Sequence, residues 1–267
     1  MTQEISFLGL ATIYALLLVP LALFVLLKLP LLKDTAIAVL RMTAQLALVG
    51  LYIELLFSLN RWWLSGLWLL VMLLVANGAT LRRAGRKDLS LFPQSLLSLA
   101  VGILVPLAVM LLLAVRPEPR YDARYPIPLA GMLLGNSLRA NIIALERFLS
   151  NLREGLDDYL AALSLGASRT EALLPNIRSA LGAALSPTIA SIATIGLVSL
   201  PGMMTGQILG GSAPMTAITY QVAIMIAILV STTITSSLNL FLTIRTAFDG
   251  YDVPRRMLLE QQSTPQR

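Results

Sequence analysis

The sequence contains no cysteine and no histidine. The first absence excludes disulfides and leaves the redox compartment unreadable. The second removes the commonest transition-metal ligand and the usual proton shuttle. Charged residues are scarce as well, at 13% of the 267 residues, where a soluble domain carries about 25%. No stretch matches G-x-x-x-x-G-K-[ST], so the chain cannot cradle ATP phosphates by itself. Ser and Asp residues have no recognisable base partner, which disfavours an intramembrane enzyme.

What the sequence has instead is apolar length. Hydrophobic residues make up 57% of it, and the mean hydropathy is +0.78. They form long blocks rather than the periodic patterns that bury one face of a soluble element. Seven blocks are long enough to be read as spans of a hydrocarbon core about 30 Å thick: 5–27, 36–57, 62–80, 93–115, 127–148, 183–200 and 215–244. The first lacks a basic leader, its only early charge being Glu4, and no small-residue cleavage site follows. It is therefore expected to be a retained helix and not a signal peptide. The expected fold is all-α: a single polytopic transmembrane helix bundle, residues 1–267, with about seven spans and a short cytoplasmic helix-turn-helix.

The net charge of +6 does not point to nucleic acid, because the basic residues sit in short loops between spans. With the N-terminus outside, fourteen of the 20 Lys and Arg fall on the inner side, including Arg82, Arg83, Arg86 and Lys87 of one loop and Arg147, Arg153, Arg169 and Arg178 of another. The outer side holds Arg61, Arg116, Arg120 and Arg124. This bias predicts an N-terminus outside and a cytoplasmic C-terminus. Trp62 and Trp63 fall at an interface, where amphipathic rings are favoured.

The inner loop 149–182 is the most informative polar stretch. Leu156, Tyr159, Leu160 and Leu163 share an apolar side, around Asp157. Gly166 is placed to end that helix in the left-handed conformation. Ser168 and Glu171 have the spacing of a capping box, so a second helix is expected there, interrupted or kinked by Pro175. Such an amphipathic hairpin suits docking in a groove on another protein. The alternative is that it lies in the lipid interface and packs against the bundle.

Within this loop, Leu160-Ala161-Ala162-Leu163-Ser164-Leu165-Gly166-Ala167-Ser168-Arg169 resembles the "EAA" loop of ABC-transporter permeases, a helix-turn-helix that plugs into the ATPase subunit. Leu160 stands where an acidic residue is usual, and Pro175 comes about one turn earlier than in the importer pattern. A second block runs Ser199-Leu200-Pro201-Gly202-Met203-Met204-Thr205-Gly206-Gln207-Ile208-Leu209-Gly210-Gly211 and continues through Pro214 to Tyr220 and Gln221. With the seven spans and the hairpin, it resembles the FetB family of permeases, which covers bacterial iron exporters and plant aluminium-tolerance relatives. The resemblance runs over essentially the whole chain. It implies an ABC exporter with two permease chains and two separate ATPase chains. The permease homodimer would bind no cofactor, while the partner carries ATP and Mg. It also implies that Asp157, Tyr159, Ala161, Ala162, Gly166, Ser168, Arg169 and Glu171 serve ATPase coupling.

The physics of the second block can be read on its own. Pro201 and Gly202 loosen the chain at the outer end of the sixth span, and Gly206, Gly210, Gly211 and Pro214 argue against a continuous helix. Non-helical backbone at membrane depth survives only against protein or water. The stretch is thus a candidate cavity lining or outer gate, with Ser199 and Pro201–Gln207 as its residues; Met203, Met204, Thr205 and Gln207 are its available ligands. The alternative is an outer loop whose glycines serve tight packing.

Polar residues inside spans add candidates: Arg41 and Gln45, four apart; Asn136 and Arg139, three apart; and Glu54. Charges at such depth cost about 2.5–3.5 kcal/mol and usually face the bundle interior. Glu54 and Glu146 are candidate partners, as is a substrate; interhelical hydrogen bonding or snorkelling is the structural alternative. Ser231, Thr232, Thr233, Thr235, Ser236 and Ser237 crowd the last span, where small hydroxyl residues permit close packing. No metal site can be assigned. Thioethers suit copper(I) more than iron, so iron would move along a weak oxygen-lined path, or the cargo is a chelate or a nucleotide-sugar. A membrane scaffold is the reading outside transport.

Overall fold

The computed structural model describes residues 6–59, 61–83, 91–118, 122–249 and 252–254. These residues form helices: α1 (Phe7–Ala15), α2 (Leu18–Leu26), α3 (Leu32–Leu59), α4 (Trp62–Arg83), α5 (Phe92–Val109), α6 (Pro126–Glu154), α7 (Leu156–Ser164), α8 (Arg169–Thr194), α9 (Gly202–Leu209) and α10 (Pro214–Ala247). A π-helical turn over Met110–Val115 extends α5. Glu4, Ile5, Arg86, Lys87, Arg120, Arg255, Arg256 and Arg267, used above for the first span and the orientation, lie outside the described residues.

Five stretches among the described residues are long and apolar enough to cross a membrane: Phe7–Leu26, Leu32–Leu59, Trp62–Arg82, Phe92–Val115 and Pro214–Thr246. The protein is a multi-pass membrane protein. α6 and α8 have the length for a span, at 29 and 26 residues and 1.5 Å of rise each. They fall outside the apolar set because the apolar stretch of α6 is interrupted by Asn136, Arg139 and Asn141, and that of α8 by Arg178, Gly182, Ser186, Pro187, Thr188 and Ser191.

Three expectations are corrected. The first span is two helices rather than one. Pro20 has no N–H to offer the Leu16 carbonyl, which takes Val19 N at 3.2 Å instead, so the chain turns at Leu16 and Leu17. The second helix of the hairpin and the sixth span are one element: α8 passes unbroken through Pro175 and Pro187. At Pro175 the helix loses the one amide bond that would have reached the Glu171 carbonyl, and it stays continuous on both sides. Finally, this helix stops at Thr194 rather than near Leu200, and residues 196–198 form a turn closed by Gly196 N to Ser199 O at 3.0 Å.

The core is built from α4, α5, α6, α8 and α10, with α10 against α5, α6 and α8. One apolar cluster joins α6, α7, α8 and the end of α10 through Ala144, Phe148, Leu152, Tyr159, Leu173 and Leu240. A second joins α4, α5, α6 and α10 through Leu73, Leu99, Leu133 and Ile224. The crowded hydroxyls of α10 lie in this packed region: Ser231, Thr232, Thr235 and Ser236 are fully buried. Ser231 and Ser137 of α6 share a hydrogen bond of 2.9 Å, and a Cβ at Gly102 of α5 would stand 2.9 Å from the Thr235 amide nitrogen. Small residues let these backbones approach closely.

Candidate functional site

A cavity of about 300 Å³ opens between α6, α8 and α10 and the turn that follows α8. Asn136, Arg139, Ala140 and Ile143 of α6 form one wall. Ala184, Pro187, Thr188, Ser191 and Ile195, on or just past α8, form the second. Ser199, Leu200 and Pro201 close one side, and Met225 and Ile228 of α10 the other. The structure thus brings two groups of sequence candidates together: Asn136 and Arg139 from within a span, and Ser199 and Pro201 from the proposed gate. Asn136 donates from Nδ2 to the Met132 carbonyl at 2.8 Å, while Arg139 is exposed to the cavity opening.

The rest of the second block is elsewhere. Pro201 is the N-cap of α9 and Gly202 its first residue, so the stretch is a short helix and not an irregular gate. Thr205 turns its hydroxyl onto the Pro201 carbonyl at 3.1 Å, Met203 packs against the second apolar cluster, and the buried Gln207 Oε1 has no partner. Met203, Met204, Thr205 and Gln207 are not among the cavity residues. Gly206 lies inside α9; the break comes at Gly210 and Gly211. Gly211, at φ +93°, donates to Ile208 O at 3.0 Å, and Ser212 N reaches Gln207 O at 3.0 Å. This is a Schellman ending, which needs a residue tolerant of positive φ.

The same ending closes α7. Gly166 has φ +93°, its N–H reaches Leu163 O at 2.9 Å, and Ala167 N reaches Ala162 O at 3.1 Å. The predicted capping box is present: Ser168 is the N-cap of α8, and Glu171 reaches back to the Ser168 amide at 2.8 Å. These bonds from the Ser168 hydroxyl and amide lower the Glu171 carboxyl below its ordinary value.

The apolar side of α7 is used internally. Tyr159 is buried with Leu156 and Leu163 beside it, and its hydroxyl donates to the Asp252 carbonyl at 2.7 Å. Burial, with Asp252 and Asp249 adding to it against Arg169, pushes the phenol up to about 12. Arg169 pairs with Asp252 at 3.1 Å and lies 5.9 Å from the Phe248 ring centre. Leu160, expected on the same side, is exposed. An α-helix places residue 160 about 100° from 159, and the bundle covers only the narrower stripe of 156, 159 and 163. Asp157, Ala161, Ser164, Leu165 and Gly166 are exposed with it, while Ala162 is half-buried.

Arg41, Gln45 and Glu54 lie on α3, exposed and away from the cavity. That helix meets the bundle near its end, where Leu56 and Tyr52 pack with Trp68 and Ile127. Thr188, Ser191 and Met225 escaped the sequence reading. The only trace of the first two is the 3–4 spacing of Ala184, Pro187, Thr188, Ser191 and Ile195 along one helical face. Buried Asn77, Asn141 and Asn239 also went unread, because an amide in an apolar segment does not tell which way it faces.

The chain matches the family described as "Uncharacterised protein family (UPF0014)" over residues 7–248. It is 36% identical over 196 residues to the UPF0014 membrane protein slr1647 of Synechocystis, covering 73% of this chain and 76% of that one. It is 33% identical over 199 residues to Protein ALUMINUM SENSITIVE 3 of Arabidopsis thaliana, with 74% and 71% covered. It is 32% identical over 225 residues to the Probable iron export permease protein FetB of Escherichia coli, with 84% and 85% covered. No solved structure matches. By the family match over nearly its whole length and by these relatives, this chain belongs to the UPF0014 family and is a FetB-like membrane permease.

Proposed function

We propose that the protein is the membrane subunit of an ABC exporter, moving iron out of the cytoplasm with energy from a separate ATPase chain. One observation carries this reading: α8 runs without a break from the capped turn at Ser168 to the cavity wall at Thr188 and Ser191. Twenty residues of helix are about 30 Å of rigid rod. A displacement applied at the turn would therefore reach the cavity rather than dissipate in a hinge. The exposed surface beside the turn supplies a contact: Leu165, which is 89% exposed, and Leu160 stand next to Asp157 and Asp158.

In this reading α1 with α2, α3, α4, α5, α6, α8 and α10 provide seven spans, with the N-terminus outside and α7 in the cytoplasm. Two copies of the chain pair with two ATPase subunits, which hold ATP and Mg. The name of the Escherichia coli relative supports iron as the cargo. α7 keeps its inner face on the bundle through Tyr159, so an ATPase would meet the outer face of the hairpin.

The test is co-reconstitution in vesicles with an ATPase encoded beside the permease. ATP hydrolysis and iron efflux should both require the two chains together. Gly166→Pro should uncouple them, because proline cannot adopt φ +93° and has no N–H for Leu163. A mutant complex that assembled, hydrolysed ATP and exported iron normally would remove the hairpin from the coupling path.

A further inference from the structure

We infer that the cavity between α6, α8 and α10 takes its cargo as an anion, with Arg139 as the group that receives carboxylate or phosphate oxygens. The inference rests on the permease reading and specifies the chemistry of its cargo.

The lining decides the class. It contains one charged side chain, Arg139, the amide of Asn136, and the hydroxyls of Thr188, Ser191 and Ser199. No carboxylate is among the lining residues, and the chain has no imidazole or thiolate anywhere. A bare iron ion prefers oxygen anions and imidazole, and a guanidinium on the wall repels it. An anion finds the reverse: a planar fork of donors matched to carboxylate and phosphate, with an amide and hydroxyls at its sides. Among the described residues no carboxylate pairs with Arg139, so none of them neutralises the guanidinium. Pro201, the N-cap of α9, also lies on the wall, which brings the positive end of that helix dipole to the cavity.

Size agrees. At about 300 Å³ the cavity is at the lower end of the range for small-molecule sites and much larger than a naked metal ion. Iron would then cross as a complex whose outer oxygens carry negative charge. The chemistry of Arg139 does not distinguish a carboxylate chelate from a phosphate-bearing solute, so both are used as probes.

The test is equilibrium binding to the full chain in nanodiscs, with radiolabelled ferric citrate, pyrophosphate and free ferrous ion as separate probes. At least one of the two anionic probes should bind. Arg139→Gln should weaken it about tenfold or more, and Arg139→Lys by less, since lysine keeps the charge and loses the fork. Thr188→Val should weaken it by a smaller factor while leaving the charge in place. The ratio of citrate to pyrophosphate binding identifies the source of the oxygens. Should Arg139→Gln fail to fold, Arg139→Lys, Thr188→Val and displacement of one anion by the other from the native chain decide the matter. Undiminished binding in the Arg139 variants, or native protein that binds ferrous ion and neither anion, overturns the inference. Binding requires no ATPase, so a failure of ATP-driven transport would sink the permease reading and leave this site standing. Native transport that survives Arg139→Gln would do the opposite.

Discussion

At the scale of single residues, the contact most sensitive to added volume is Gly102 against Thr235. The missing side chain lets α5 approach the backbone of α10, and the hydroxyl of Thr235 folds back onto the Ser231 carbonyl at 2.5 Å. Gly102→Val would have to push the helices apart in a region where Leu99, Ile103 and Thr235 are all buried. Overpacking of this kind costs about 1–3 kcal/mol. The expected outcome is a fold destabilised by that amount, read from the midpoint of unfolding as SDS is titrated into mixed micelles. An unchanged midpoint would mean that α5 and α10 are not this close. Arg139 belongs to the same scale: its charge within a span marks it as a candidate, and the fold sets Thr188, Ser191 and Ser199 around the same cavity.

At the scale of elements, the turn between α7 and α8 is held by local chemistry. Gly166 ends one helix and Ser168 starts the next, with Glu171 closing the capping box. Replacing an N-cap serine by alanine typically costs about 1 kcal/mol. Ser168→Ala should therefore raise hydrogen exchange at the amides of 170–172 while exchange in the middle of α8 stays unchanged. The box also depends on pH. The Glu171 carboxyl titrates below its unfolded value, so its contribution is fully present above that value and is lost as pH falls through the lower, folded one. The same amides should thus lose protection as the pH falls below the ordinary carboxylate value, beyond the intrinsic change in exchange rate. Glu171→Gln should abolish that pH dependence, and Ser168→Ala, which removes the hydroxyl bond but keeps the amide bond, should reduce it; its persistence in Glu171→Gln would assign it to another group.

At the scale of the whole molecule, the arrangement turns on which side of the membrane each connection occupies. The absence of cysteine makes the chain a ready background for labelling. With α7 inside, Asp158→Cys should react with a membrane-impermeant maleimide only after the cells are opened. Ser212→Cys, between α9 and α10, should react in intact cells. Both positions are exposed, so accessibility within the fold does not confound the result. The opposite pattern would invert the topology and move the hairpin away from any cytoplasmic ATPase. Labelling of both from one side would mean that α8 does not cross.

The sequence by itself determined what is local or compositional. The membrane class follows from apolar length, the ends of α7 and α8 from Gly166 and Ser168, and the tight packing of α10 from its run of hydroxyls. Each is a property of a residue and its neighbours within a few positions. Only the tertiary structure decided what depends on direction. It turned Tyr159 inward and left Leu160 outside, carried α8 through Pro175, and packed Met203 against the core. It also assembled a cavity from residues on three helices and a turn, up to about ninety positions apart in the chain, Asn136 to Ile228 being the widest pair. A helical period tells that two residues share a face, but what that face meets is set by the packing of the whole bundle.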